Sequence, residues 1–411
     1  MPRRLFALAL LLAAAGFARP EEDELALFEK ISLAIDRGVE WLDKRQSFTG
    51  SWGVIGGDVN YDGGSDVYRY PQGPTALALL TLLKCGMPPD HKTIDRGFSY
   101  IETHGRIPES TYEVATLMLA IEARTNQTKR EARREAILRL RAKPGADVSV
   151  KVELPKDDRE WMQELADALV EKRRAHAWRY GLSRMVAGGE FDMSNTQMAT
   201  LALYVAVRAG VKVRNHVFTQ TIEKVLAEQE QEGPEHIRWE PWRSDETSYA
   251  PTIDHARGWA YDRKGSLEHE PKTSGSMTTG GIVSLLAAQK ALALRSPSTA
   301  KRYEPKIEIA VNDGLAWLDK HWRIDTNPPR GGVYHLMYLY GLERVGDMLP
   351  RNRIGSHDWY LEGAQWLVRN QRKDGHWLRR DTHEPQDVLN TCFALLFLEK
   401  ATLSVPVASG R

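Results

Sequence analysis

One sparse pattern is written twice in this chain, more than 300 residues apart. Arg37–Trp52 reads RGVEWLDKRQSFTGSW, and Glu362–Trp377 reads EGAQWLVRNQRKDGHW. Both carry Gly, then Trp-Leu three residues on, then Gln, Gly and Trp. The intervals match: five residues from the first Trp to Gln, four from Gln to Gly, two from Gly to the last Trp. Such a repeat constrains the fold before composition does, because each copy buries its apolar face only against its neighbours. A shorter form, G-x-x-[aromatic]-[Leu/Ile], recurs at Gly38-Trp41-Leu42, Gly97-Tyr100-Ile101, Gly314-Trp317-Leu318 and Gly363-Trp366-Leu367.

Each of these elements lies on a stretch with helical apolar spacing, such as Ile35, Val39 and Leu42. A Gly/Pro/Asp-rich loop follows, and then a second helix that is apolar nearly all round. The second helices read TALALLTLLKCG from Thr75, YEVATLMLAIEA from Tyr112, TQMATLALYVAVRAG from Thr196, TTGGIVSLLAAQKAL from Thr278, GVYHLMYLYGLERVG from Gly332 and TCFALLFLEKA from Thr391. A helix apolar on every side is buried. Two more first helices, DREWMQELADALVEKRR before Trp178 and FTQTIEKVLAEQEQEG before Trp239, complete six pairs, roughly 27–85, 91–124, 157–210, 215–294, 304–346 and 357–402. No strand-period segment of any length competes. The pattern predicts an all-α fold, an (α/α)6 toroid with six amphipathic outer helices around six buried inner ones. An open solenoid needs polar caps at its ends. Here the best-formed copies are the first and the last, which suits a ring closed end on end.

Within that frame Gly38, Trp41, Gln46, Gly50 and Trp52, and their counterparts Gly363, Trp366, Gln371, Gly375 and Trp377, read as structural staples rather than a catalytic box. The first Gly allows close helix approach and the Trp-Leu pair packs inward. The Gln bonds groups left free at neighbouring helix termini. The second Gly permits a tight turn and the last Trp covers the joint. Thr or Ser at the start of several inner helices reads as an N-cap.

The chain ends are set apart. Arg3 and Arg4, the apolar run LFALALLLAAAG and the small residues of Gly16-Phe17-Ala18 read as a signal peptide over 1–18. The run is short for a membrane span. The expectation is an exported protein, periplasmic or secreted, with a single toroid domain over 24–402 and a C-terminal tail over 403–411. A charged insertion at about 125–156 holds KREARREAILRLRAK from Lys129, read as a solvated helix with Glu131 and Glu135 interspersed. A formal net charge of +1 gives no field favouring nucleic acid. Cys85 and Cys392 sit in apolar runs and read as buried small hydrophobes, which pair only if the chain ends meet.

With these residues in view, the chain resembles the squalene–hopene cyclase and prenyltransferase superfamily. Its hallmark is the QW repeat, roughly [KR]-G-x-x-[FYW]-L-x-x-x-Q-x(3)-G-x-W. Arg37–Trp52 fits in full, Gly363–Trp377 fits but follows Glu362, and Gly314–Trp322 is degenerate, with Trp322 in place of Gln. The likeness is nearest to exported bacterial proteins known as prenyltransferase/squalene oxidase repeat proteins, on the phrases DMSNTQMATLAL from Asp192, YLYGLERVG from Tyr338 and NTCFALLFLEKA from Asn390. The resemblance implies an isoprenoid or other hydrophobic, amphipathic small-molecule ligand. It also implies an acid for alkene protonation, which the family builds from D-x-D-D-T. The best match is Asp387-Val388-Leu389-Asn390-Thr391, where Leu389 and Asn390 replace the second and third Asp. Leu donates no proton, so class II cyclase chemistry is not expected. The zinc pattern of protein prenyltransferases begins with D-x-C, which is missing. Asp387, Cys392 and His383 stand four and five residues apart and do not reproduce it. No metal and no cofactor are expected.

Six parallel inner helices bring their N-termini, with their free N–H groups, to one end of the ring, where a polar or anionic group is favoured. The ligand-binding candidates there are Tyr112, Glu113, Asn195, Gln197, Thr279, Tyr334, His335, Asp387 and Asn390, above an apolar, aromatic bore. Asp387 and His335 are the catalytic candidates. An aromatic and polar loop at about 233–275, with Trp239, Trp242, Tyr249, Trp259 and Tyr261, is a lid or a packed surface loop. Two other readings stay open: a polysaccharide lyase or glycoside hydrolase on an α/α toroid, and a non-catalytic structural or interaction module.

Overall fold

The alternation of amphipathic and apolar segments becomes an alternation of outer and buried helices. A computed structural model describes residues 20–53, 72–125, 152–180, 191–238, 252–262, 273–349, 353–378 and 387–400. The leader at 1–18, the basic run from Lys129, Trp239, Trp242, Tyr249, His383 and the tail at 403–411 lie outside the described residues. Twelve helices run through the described residues. They are α1 (Pro20–Lys44), α2 (Gln72–Lys84), α3 (Lys92–Gly105), α4 (Thr111–Thr125), α5 (Lys156–Glu171), α6 (Met193–Arg208), α7 (Asn215–Glu228), α8 (Gly275–Arg295), α9 (Pro297–Lys320), α10 (His335–Met348), α11 (Trp359–Asn370) and α12 (Asp387–Glu399). The protein is all-α but for two small ladders described below.

The even-numbered helices are buried over most of their length, and α6 is buried at every residue. Each packs against two others in sequence order: α2 on α4, α4 on α6, α6 on α8, α8 on α10, α10 on α12, and α12 back on α2. The odd-numbered helices pack on this succession from beside it: α3 on α2, α5 on α4 and α6, α7 and α9 on α8, α11 on α10 and α12. Helix α1 meets α12, α11 and α2, so the first helix joins the last pair. Among the described residues one helix, α8, is long and apolar enough to cross a membrane, and 78% of its apolar window is buried inside the protein. Cys85 and Cys392 are not joined in a disulfide. Burial pushes the Cys392 thiol up to about 12, and its hydroxyl partner is Thr81, one turn before Cys85 on α2.

A single joint recurs four times. The indole N–H of Trp52 donates to Leu42 O at 2.7 Å, Trp178 to Leu169 O at 2.7 Å, Trp259 to Val225 O at 2.8 Å, and Trp377 to Leu367 O at 2.9 Å. Each acceptor is a carbonyl in the last turn of an odd helix, where no intrahelical donor is left. The backbone N–H of the same four residues donates to the hydroxyls of Thr75, Thr196, Thr278 and Thr391, at 3.2–3.3 Å. These threonines were expected as N-caps. They stand instead inside the first turns of α2, α6, α8 and α12, where each takes the N–H of the covering tryptophan.

The glutamines extend the joint sideways. Gln46 Nε2 donates to Gly50 O at 3.0 Å and Thr93 O at 2.8 Å. Gln371 Nε2 donates to Gly375 O at 2.8 Å and Ala34 O at 2.7 Å. Gln229 Nε2 donates to Arg257 O at 3.0 Å and Ala310 O at 2.9 Å. Thr93, Ala34 and Ala310 each precede by four residues the Gly of the next outer helix (Gly97, Gly38, Gly314). Ala34 and Ala310 lie well inside their helices rather than at the expected termini, so the Gln takes the second lone pair of a carbonyl already bonded in its helix. Gly50 (φ 97°) and Gly375 (φ 105°) adopt left-handed backbone, and a Cβ there would strike the carbonyls of Arg96 and Arg37. A Cβ on Gly38 would meet Leu395 at 2.9 Å and Trp377 at 3.0 Å. The glutamines therefore stitch the first pair to the second, the fourth to the fifth and the sixth to the first. Leu42 and Leu367 are fully buried, but the tryptophans beside them do not pack straight inward. Trp41 stacks on His376 at 4.9 Å and Trp366 meets His335 edge-on at 4.6 Å, each bridging to an adjacent pair.

Two joints escape the sequence pattern. In the third pair Arg173 takes the place of Gln and bonds Gln220. In the fourth pair the covering residue is Trp259, not the Trp239 at which the sequence ends the helix. Gln229 and Arg257 are 28 residues apart where Gln46 and Gly50 are four. The extra chain includes β1 (Glu235–Arg238) and β2 (Thr252–His255), an antiparallel ladder that pairs Ile237 with Ile253. It packs on α9, where His255 N donates to Asp313 Oδ1 at 2.7 Å and Arg257 forms an ion pair with Asp313. A shorter ladder joins β3 (Arg353–Ile354) and β4 (His357–Asp358). The apolar-period reading anticipated neither.

Replacing Trp259 by Phe keeps most of the apolar contact but leaves the Val225 carbonyl without its donor. Urea unfolding should register a loss of roughly 1–2 kcal/mol. The same exchange at Trp52, Trp178 or Trp377 should cost a similar amount, and no loss at any of the four would show that the indole bond is dispensable.

Candidate functional site

The joints also aim side chains. Two residues after Trp178 comes Tyr180, and two after Trp259 comes Tyr261, in the phrases WRY and WAY. Tyr180 O accepts from Thr111 N at 3.0 Å and Tyr261 O accepts from Met193 N at 2.9 Å, so each tyrosine is laid over the start of the preceding inner helix. Tyr180 stacks on Tyr112 at 5.5 Å. The Tyr112 hydroxyl reaches Met337 Sδ at 4.0 Å, crossing from α4 to α10. Ser194 donates to Asp192 Oδ1 at 2.9 Å, and Asp192 lies close enough to Tyr261 and Tyr112 to act on both phenols electrostatically. A connected group thus forms at the N-terminal ends of α4, α6 and α10.

Of the sequence candidates, the structure draws Tyr112 and Asn195 into this group, with Tyr334 close enough to act on Tyr112 and Tyr180 electrostatically. Asn195 donates through Nδ2 to both oxygens of Asp192, at 3.0 and 2.9 Å, and its N–H donates to Oδ1 at 2.6 Å. Asp192 is therefore the N-cap of α6. Glu113 is a cap as well. Its Oε1 accepts from Gln72 N at 2.9 Å and Gly73 N at 3.0 Å, and its Oε2 from Ser110 N at 3.1 Å. With Glu113 N donating to the Ser110 hydroxyl, this is a capping box that also closes the start of α2. Gln197 is buried against Gly280 on α8. Thr279 donates to Ser276 O at 2.9 Å and leaves room for Gly341 of α10 only because that residue lacks a Cβ. Asn390 is buried in the first turn of α12.

The two catalytic candidates lie elsewhere. His335 packs edge-on to Trp366 of α11, with Nε2 2.9 Å from Ile324 O. Asp387 stands with Oδ2 4.0 Å from His376 Nε2, on the Trp41 side of the sixth joint. Among the described residues no three His, Cys, Asp or Glu side chains converge as metal ligands.

Sequence reasoning missed Asp192, Ser194, Tyr180, Met337, Phe393, Tyr340 and Arg344, and set Tyr261 in the aromatic loop at about 233–275 without bringing it here. Phe393 stacks on Tyr340 at 5.6 Å. Leu389, one turn before Phe393, shares its face of α12. Tyr112, Met337 and Phe393 keep partly accessible surface between buried helix neighbours, and Tyr180, Tyr261 and Leu389 are partly accessible as well. They are the candidate lining of a chamber at this end of the inner helices. W-x-Y at the Trp178 and Trp259 joints was the signal that would have found two of them.

Burial dominates the electrostatics. It raises the phenols of Tyr112, Tyr180 and Tyr261, holding them neutral, and Asp192 raises Tyr261 further. Burial also raises the Asp192 carboxyl from its ordinary 3.8 to about 6, against the N–H and amide of Asn195, the hydroxyl of Ser194 and the charge of Arg179, which all favour ionisation. A carboxyl in that range holds a proton in mild acid. Its folded value is raised, so its contribution to stability is greatest below about 3.8 and declines as pH rises through about 6. Melting temperatures between pH 4.5 and 7.5 should fall less steeply for Asp192→Asn than for the wild type. Parallel slopes would remove Asp192 as the titrating group.

No protein-family model and no curated protein matches this chain. Among solved structures it is similar to the type II terpene cyclase MstE from Scytonema. The form bound to the substrate geranylgeranyl dihydroxybenzoate aligns over 92% of this chain and 99% of that one, with 12% identity and a TM-score of 0.45. The form bound to the product merosterolic acid A covers the same shares with 12% identity and a TM-score of 0.43. The apo form covers 91% and 98%, again with 12% identity and a TM-score of 0.43.

Proposed function

We propose that the protein is an exported α/α toroid that holds an isoprenoid-like or amphipathic ligand in the chamber beside Tyr112, without class II cyclase activity. One observation carries the reading. The inner helices are buried almost throughout, yet Tyr112, Met337, Leu389 and Phe393 keep accessible surface at one end, beside Tyr180 and Tyr261. A concave apolar and aromatic wall with a few fixed polar groups is what a hydrocarbon with one polar end requires. The closed succession of even helices supports the toroid, and the leader sequence supports export. Leu389 stands where a protonating carboxyl is needed and offers only hydrocarbon.

A non-catalytic structural or interaction module has one observation in its favour. Tyr112 reaches Met337 and Arg344 reaches Met198 at 3.3 Å, both between helices that do not pack side by side. Side chains already span the lumen at these points. The two readings part on a single measurement. Protein purified from its own cell envelope should release a co-purified isoprenoid or amphiphile on solvent extraction, detected by mass spectrometry. Farnesol, geranylgeraniol or squalene added afterwards should be recovered unaltered. A cyclised product lost in Asp387→Asn would overturn the proposal, and an empty protein that binds none of these would favour the module.

A further inference from the structure

Arg344 is the charge that the ring does not explain. It lies on α10 and is fully buried. A guanidinium has five donors and cannot shed its proton inside a protein. Here Nη1 meets only the Met198 sulfur, at 3.3 Å, and a thioether is a weak acceptor. Nε reaches Tyr340 O at a long 3.4 Å, and Nη2 has no partner. Among the described residues no carboxylate pairs with it. A buried charge left in this state is costly, and its retention needs a compensating partner.

The guanidinium lies against an aromatic stack. On a helix, long side chains lean toward the N-terminus, which carries Arg344 up to the level of Tyr340. Its carbon sits 3.9 Å from the centre of the Tyr340 ring. That ring stacks on the partly accessible Phe393. The positive charge also acts on Tyr112, whose ionised form it favours. One residue before Met198, Gln197 is buried with both amide atoms unpartnered.

We propose that Arg344 is the anchor for a monoanionic head group, a carboxylate, on the ligand held in this chamber. The inference rests on the reading of the chamber as a ligand site. A carboxylate accepts two parallel N–H bonds from a guanidinium and neutralises it. One cation matches one negative charge. A diphosphate would bring more negative charge than one guanidinium neutralises.

The test uses farnesoic acid and farnesol, which share a chain and differ in the head group. Titration calorimetry with the wild type should show the acid binding about 10- to 100-fold more tightly, the range of charge-assisted hydrogen bonds. In Arg344→Met the acid should fall to the affinity of the alcohol, with the alcohol unchanged. Arg344→Lys should keep part of the preference. Unliganded Arg344→Met should melt at or above the wild-type temperature, since an uncompensated buried charge has been removed. Equal binding of acid and alcohol by the wild type would overturn the anchor and leave the chamber reading standing. Binding of neither would overturn both. A lower melting point for Arg344→Met would mark Arg344 as a packing residue and end the proposal.

Discussion

The fold depends on what happens where an outer helix stops. A helix end leaves carbonyls without donors, and the next helix begins only a few residues later. In four of the six pairs one tryptophan closes this gap, with its indole on the outgoing helix and its own N–H on a threonine of the incoming one. The angle between the helices of a pair is thereby fixed by a rigid ring rather than by a loop. In three of those joints a glutamine then bonds a backbone carbonyl of the following pair. Local closure and lateral attachment come from the same few residues. That economy is why so sparse a pattern recurs: between the fixed points, any apolar residue of fitting size serves.

Much of this was legible in the sequence, and the limits have physical causes. Helices apolar on every side announced their own burial, so the six pairs and their order could be read directly. The Gln-Gly-Trp joint could be read where the loop is short, at Trp52 and Trp377. It vanished where Arg173 does the work of Gln, and where Gln229 and Trp259 are separated by a long excursion. No periodicity marks a bond made across such an interval. Trp41 and Trp366 were identified as structural residues, but the direction they face depends on His376 and His335 in adjacent pairs, which one helix alone cannot specify.

The chamber was half visible for a similar reason. Tyr112 and Asn195 lie in inner-helix first turns, where attention naturally falls. Tyr180 and Tyr261 come from connections, and their position follows from joints that had to be recognised first. Glu113 carried the right chemistry for a ligand contact but is occupied by four backbone and hydroxyl contacts at two helix starts. Arg344 was present in a familiar phrase, YLYGLERVG, and its oddness appears only once the helix is known to have no wet side. A sequence that is otherwise consistent at every level is informative where it breaks a rule.

The long interval between Gln229 and Arg257 has a meaning for how this architecture changes over evolutionary time. Lengthening a connection from four residues to 28 costs only about 1.7 kcal/mol of loop-closure entropy. The bonds that close the joint are made by its two ends and are indifferent to what lies between. The scaffold therefore has ports: places where a stretch of chain can be spliced in while the helices stay in register. The β1–β2 ladder occupies one such port. New surface can be acquired there without renegotiating the core, so diversification of the surface and conservation of the helix core are separate problems for this fold.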